Sequence, residues 1–138
     1  MMAEDIAQVA LLAGQLGYPS TPDQIASRFR SLETIPGSAI FVAELTQGSP
    51  AGWAHVVGRQ LLESEPFAEL VGLVVDAASR RQGAGRALVK AAESWARENG
   101  YGALRIRSNT ARSEARPFYE KMGYVIGKTQ YVFNKPVS

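Results

Sequence analysis

The 138-residue chain has no cysteine and a single histidine. Without cysteine there is no disulfide framework, no thiolate nucleophile and no sulfur-ligated metal, which suits a reducing cytoplasm. One histidine without a carboxylate cluster does not make a metal site, so no metal is expected. Apolar runs stay far below the roughly 20 residues of a membrane span. The opening MMAEDIAQVALLAGQL carries two early acids and no basic stretch, so it does not read as a signal peptide. Neither reading calls for a membrane partner. A net charge of +2 is too small to argue for nucleic acid. The arginines that cluster are not interleaved with the exposed aromatics that stacking on bases requires.

Hydrophobic residues make up 46% of the chain and charged residues 20%, a globular balance. With no repeat or long linker, residues 1–138 read as one domain. Ile6, Val9, Ala10, Ala13 and Leu16 recur at helical spacing, and STPDQIASRFRSL predicts a second helix capped by Ser20 or Thr21 with Pro22 in its first turn. AIFVAEL, GWAHVVGRQLL and AELVGLVV read as three strands in a meander. A helix over 86–98 ends at Asn99-Gly100, followed by a strand in ALRIRSN, a helix in ARSEARPFYEKMG, and one or two closing strands in YVIGKTQYVFNKPV. The result is an α/β fold with a mixed, mostly antiparallel central sheet flanked by helices. The strand before the long helix and the strand after it should be parallel neighbours in a β-α-β crossover.

The segment SRRQGAGRAL, residues 79–88, joins that strand to the long helix. Helix N-termini carry unpaired N–H groups and a positive partial charge. Gly83 and Gly85 let those groups approach a ligand, while Arg80, Arg81 and Arg86 add formal charge, a combination that suits a pyrophosphate. Two known phosphate loops fail by position. A Walker loop needs Gly-Lys-Ser/Thr where Gly85 is followed by Arg86-Ala87, and a dinucleotide fingerprint needs a small residue where Leu88 stands.

Arg80-x-x-Gly83-x-Gly85, following LVVD and opening an amphipathic helix, resembles the acyl-CoA loop of the GNAT superfamily of N-acetyltransferases. ARSEARPFYEKMGY, residues 111–124, is similar to that superfamily's A-x-x-FYEKxGF segment, and the element order agrees from residue 4 onward. Members of the superfamily usually begin with a strand of the type IRPAT; this chain opens almost directly at a helix, so the first strand is absent or truncated.

The resemblance implies transfer of acetyl from acetyl-CoA to a primary amine of a small molecule, less readily of a peptide or protein, by direct attack in a ternary complex. The alternative is a domain that holds acyl-CoA as a sensor or scaffold without turnover. The resemblance also implies a homodimer. On this reading Arg80, Arg81, Gln82, Gly83, Ala84, Gly85 and Arg86 hold the pyrophosphate. Leu73, Val74 and Val75 offer main-chain hydrogen bonds to pantetheine, as an added strand would, and Asn109 is a further CoA contact. The amine must be neutral to attack, yet a lysine-like amine has a pKa near ~10.4. Glu69 is the candidate base, directly or through water, and alternation would put it on one face with Val71, Leu73 and Val75. Tyr119 is the candidate acid for the leaving thiolate. His55, beside Trp53 and Val57 on a strand face, reads as a structural or pocket residue, the alternative being a base that assists Glu69.

Overall fold

The computed structural model describes residues 1–46, 49–80, 83–109 and 112–137. It divides into two compact units, Met1–Arg107 and Ser108–Ser138.

The first unit opens with a short 3-10 turn, Ala3–Asp5, that runs into helix α1 (Ile6–Leu16). Among the described residues no strand precedes that helix, and the Met1 amino group donates to the Ile40 carbonyl at 3.2 Å. Helix α2 (Pro22–Glu33) starts as its sequence predicts. Thr21 caps it, its hydroxyl accepting from the Gln24 N–H at 3.1 Å while the Thr21 N–H donates to Gln24 Oε1 at 2.9 Å, and Pro22 fills the first helical position. That reciprocal pair satisfies two N–H groups the helix would otherwise leave open.

Strands β1 (Ser38–Thr46), β2 (Ser49–Arg59), β3 (Phe67–Val75) and β4 (Leu104–Ile106) form one sheet in the order β1-β2-β3-β4. The first three are antiparallel, and β4 runs parallel to β3. Helix α3 (Ala84–Glu98) makes the β3-to-β4 crossover, and Gly100, at φ 82°, follows its Asn99 cap.

Residues directly opposite in an antiparallel ladder share a face. Gly52, Ala54, Val56 and Gly58 pair with Val75, Leu73, Leu70 and Ala68 on the face covered by α3, where Leu88 approaches Gly52. Ala54, Val56 and Ala68 are fully enclosed there, as are Val89 and Ala92 of α3. The opposite face carries Trp53, His55, Val57 and Arg59 against Val74, Gly72, Glu69 and Phe67. Helix α1 packs on β2 and β3 with Leu12 wholly buried.

The second unit holds helix α4 (Ala115–Lys121), ended near Gly123 at φ 94°. The closing strands expected in YVIGKTQYVFNKPV do not appear: residues 124–137 carry no strand among the described residues. Tyr131, Val132 and Phe133 are exposed. The segment has the composition of a strand, but a strand exists only through a ladder, and side-chain propensity alone does not supply one. Among the described residues no helix is long and apolar enough to cross a membrane, and no cluster of His, Asp and Glu could hold a metal.

Candidate active site

The register of β3 is interrupted at a single residue. His55 pairs with Gly72 but Val56 pairs with Leu70, so Val71 is an extra residue, a β-bulge. Two consequences follow. The expected face of Glu69, Val71, Leu73 and Val75 does not form: the bulge inverts the alternation, and Glu69 lies on the face opposite Leu73 and Val75. The bulge also falls just past the point where the strand's second edge loses its partner. β4 pairs only with Ala68, Glu69 and Leu70, so past the bulge the outer edge of Leu73, Val74 and Val75 has no neighbouring strand among the described residues. Backbone donors and acceptors on such an edge are open to an extended, amide-rich ligand.

The chain leaves β3 through Asp76, whose N–H donates to Ala51 O at 2.7 Å. Asp76 caps the 3-10 turn Ala77–Ser79, and Gln15 of α1 braces it. The Gln15 side chain donates to Asp76 Oδ1 at 3.1 Å and accepts from the Ala77 N–H at 2.9 Å. Gln15 escaped the sequence reading because a polar residue near a helix end carries no local signal for a partner 61 residues away.

Gly83 is the N-cap of α3, at φ 85° and ψ 0°, a left-handed conformation that suits glycine. It offers no side-chain cap, and the first turn of α3 has no acid, so nothing in the helix's own sequence neutralises its positive end. Arg80 and Arg86 are exposed on either side of it, Gly85 is half-buried and Ala84 is buried. Arg81 and Gln82 lie outside the described residues. A groove of about 420 Å³ runs beside this point, lined by Phe41 to Glu44 of β1 and by Gly83, Ala84, Ala87, Leu88 and Ala91. Its side chains are apolar apart from Glu44, and the exposed guanidiniums of Arg80 and Arg86 flank Gly83 in the sequence.

Glu69 is 4% exposed, yet its surroundings are not the apolar ones its sequence neighbours suggest. Arg59 Nε donates to Oε1 at 2.9 Å, and Arg107 Nε lies 2.9 Å from Oε2. Arg105 sits with its guanidinium 4.0 Å above the Phe67 ring. The sequence shows these arginines but not their pairing, because three strands must come together before they meet. On the same face, Trp53 Nε1 and His55 Nε2 are buried without a hydrogen-bond partner. Burial, aided by the Arg59 charge, holds His55 below the usual imidazole value, which keeps it neutral.

In the second unit, Tyr119 packs edge-on against Phe118 and Tyr124, with ring centroids 5.1 and 6.2 Å away. Burial pushes its phenol above the ordinary tyrosine value, against the smaller opposing effect of Arg112. The group therefore keeps its proton through neutral pH. Asn109 is exposed, with its carbonyl accepting from the Arg112 N–H at 3.0 Å.

The family model described as Acetyltransferase (GNAT) family matches residues 6–124. The chain belongs to that family. No curated protein matches it in sequence. Solved structures share the GNAT fold at low identity. A protein titled a transcriptional regulator from Bacillus halodurans C-125 superposes with a TM-score of 0.86 at 22% identity, over 98% of this chain and 96% of its own. The aminoglycoside 6'-N-acetyltransferase AAC(6')-IG from Acinetobacter haemolyticus gives 0.82 at 15%, over 100% and 97%. The aminoglycoside N-acetyltransferase AAC(6')-Iy, solved in complex with CoA, gives 0.86 at 18%, over 99% and 92%.

Proposed function

We propose that this GNAT protein transfers the acetyl group of acetyl-CoA to a primary amine of a small molecule, by direct attack in a ternary complex. One observation carries the reading: the bulge at Val71 leaves the Leu73–Val75 edge open on the way to a glycine-capped, acid-free helix start between Arg80 and Arg86. Extended amide groups fit the edge and a diphosphate fits the helix start, the two parts of one CoA molecule. Arg81 and Gln82 complete the phosphate loop in this proposal, and Asn109 adds a contact.

The amine nitrogen attacks the thioester carbonyl, the C–N bond forms and the C–S bond breaks. A backbone N–H near Val74 steadies the charge on the carbonyl oxygen. Glu69 receives the amine's proton through water. Both its oxygens already meet a guanidinium, but each carboxylate oxygen has a second lone pair for a water. Tyr119 returns a proton to the leaving thiolate, a role supported by its retained proton. We further propose a single domain spanning the chain, working in the cytoplasm where acetyl-CoA is available, and a homodimer. The place of β1 at the edge of the sheet among the described residues supports the dimer, and light scattering at micromolar concentration tests it.

The test of the donor site is thermal. Saturating acetyl-CoA raises the melting temperature by mass action, and desulfo-CoA does the same because sulfur is not part of the phosphate contact. Gly83→Asp removes the rise by placing negative charge and a strained left-handed residue where phosphate belongs. An unchanged melting temperature with saturating CoA refutes the proposal.

A further inference from the structure

On one face of the sheet, two guanidiniums hold one carboxylate and a third arginine stands on the same face. Arg59, Arg105 and Arg107 lie there with Glu69, and the first and last contact its two oxygens at 2.9 Å each. A carboxylate needs one cation to neutralise it, so this pairing leaves a positive charge over. Arg105 is engaged with the Phe67 ring. Arg59 and Arg107 remain half-exposed, with side chains 46% and 57% accessible. Among the described residues neither has another acidic partner. Their contacts to Glu69 run through Nε, so the terminal nitrogens of both guanidiniums retain N–H donors for a further acceptor. Glu69 holds the two forks side by side, which lowers the entropy lost when they grip a ligand.

A second observation on this face points to a ligand. Trp53 Nε1 and His55 Nε2 are buried and unpartnered on the strand that carries Arg59. Unsatisfied buried polar atoms cost free energy unless something meets them. The Arg59 charge is felt at His55, so the two groups are electrostatic neighbours.

We infer that the acceptor amine carries a carboxylate, bound by Arg59 and Arg107, so that the substrate is an amino-acid-like acidic amine. The inference rests on the acetyl-transfer reading and narrows it. Arg59 and Arg107 together carry one positive charge more than Glu69 takes up, which suits one carboxylate held between their forks. That excess also disfavours polycations such as the aminoglycosides that two of the structural neighbours are named for, since like charges would face the two arginines. Glu69 then has a positioning role for the arginines in addition to its proton.

The experiment measures kcat/KM for L-amino acids and for the matching L-amino-acid amides, in the wild type and in Arg59→Gln and Arg107→Gln. Comparing the acid-to-amide ratio between proteins cancels the different reactivity of the two amines. Each variant should lower that ratio by about 10- to 100-fold, the value of a hydrogen bond to a charged group. Arg59→Lys keeps a charge beside Glu69 but loses the fork, so it guards against misfolding and should lower the ratio less. Phosphoethanolamine is the dianionic arm, and its preference over glycine overturns the carboxylate assignment. A ratio unchanged in both glutamine variants overturns the inference while leaving acetyl transfer intact, as does acetylation of the amides alone. If no amine is acetylated, calorimetry with N-acetyl-L-amino acids against their amides decides the anion site. Equal or absent binding of both overturns it.

Discussion

The same one-carbon change should move stability in opposite directions at two glycines, and the structure supplies both signs. A Cβ on Gly52 of β2 would sit 2.7 Å from the Val74 carbonyl oxygen, 3.2 Å from Leu88 Cδ1 and 3.3 Å from Val75 Cα. Two of those atoms are backbone, so Gly52→Ala must push β3 or α3 aside. Overpacking of this kind costs about 1–3 kcal/mol. Gly14 is exposed in the interior of α1, and a Cβ there meets nothing within 4 Å. Gly14→Ala should therefore gain about 0.5–1 kcal/mol from reduced backbone freedom in the unfolded chain. For 138 residues, 1 kcal/mol corresponds to about 3–4 °C in melting temperature. Calorimetry should show Gly52→Ala falling by roughly 3–10 °C and Gly14→Ala rising by roughly 2–3 °C. Because the displaced atoms are those of Val74 and Val75, Gly52→Ala should also weaken acetyl-CoA binding, whereas Gly14→Ala should not. A Gly52→Ala protein that melts with the wild type and binds acetyl-CoA equally would refute both the packing and the placement of the donor edge.

Three further outcomes are expected. Tyr119→Phe keeps the ring's packing and removes one proton, so kcat should fall about 10- to 1000-fold with acetyl-CoA affinity nearly intact. Because burial raises the phenol above its ordinary value, the wild type should show no loss of this acid up to about pH 9. Glu69→Gln leaves two guanidiniums facing a neutral amide. Since both arginines are half-exposed, the loss in urea melts should be about 1–3 kcal/mol, below that of a fully buried pair. Its kcat/KM should fall most in acid and recover partly in alkali, as more amine arrives neutral, while Tyr119→Phe should not recover; parallel pH profiles for the two variants would count against the assigned roles. His55 is held neutral by burial and by Arg59, so its folded pKa lies below its unfolded value of about 6.5. The unfolded chain then binds the proton first, and His55 costs stability as the pH falls below that unfolded value. His55→Gln should flatten the stability profile just below about pH 6.5, and an unchanged slope there would place the titration elsewhere.

Local rules carried the reading of the elements furthest. Thr21-Pro22 with Gln24 spelled out the start of α2, and the run of β-formers before Gly83 followed by a helix gave the β3-α3-β4 crossover and the parallel pairing of its strands. The sequence could not reveal the bulge at Val71, because the alternating pattern of AELVGLVV is apolar on both faces and gives no register. That hidden residue moved Glu69 to the face opposite Leu73. The pairing of Glu69 with Arg59 and Arg107 was equally out of reach, since it joins residues 10 and 38 positions away across separate strands. At the C-terminus the error ran the other way. YVIGKTQYVFNKPV has strand chemistry, but without a ladder Tyr131 and Phe133 stay exposed.

Enzymatic function here requires acetyl to leave CoA for a nitrogen. Mass spectrometry of a mixture of purified protein, acetyl-CoA and a panel of primary amines, with free thiol measured in parallel, tests this directly. An acetylated amine should form mole for mole with released CoA, and both should be lost in Gly83→Asp. Acetyl-CoA that binds and raises the melting temperature, yet remains intact with every amine offered, would contradict this and leave an acyl-CoA sensor in place of an enzyme.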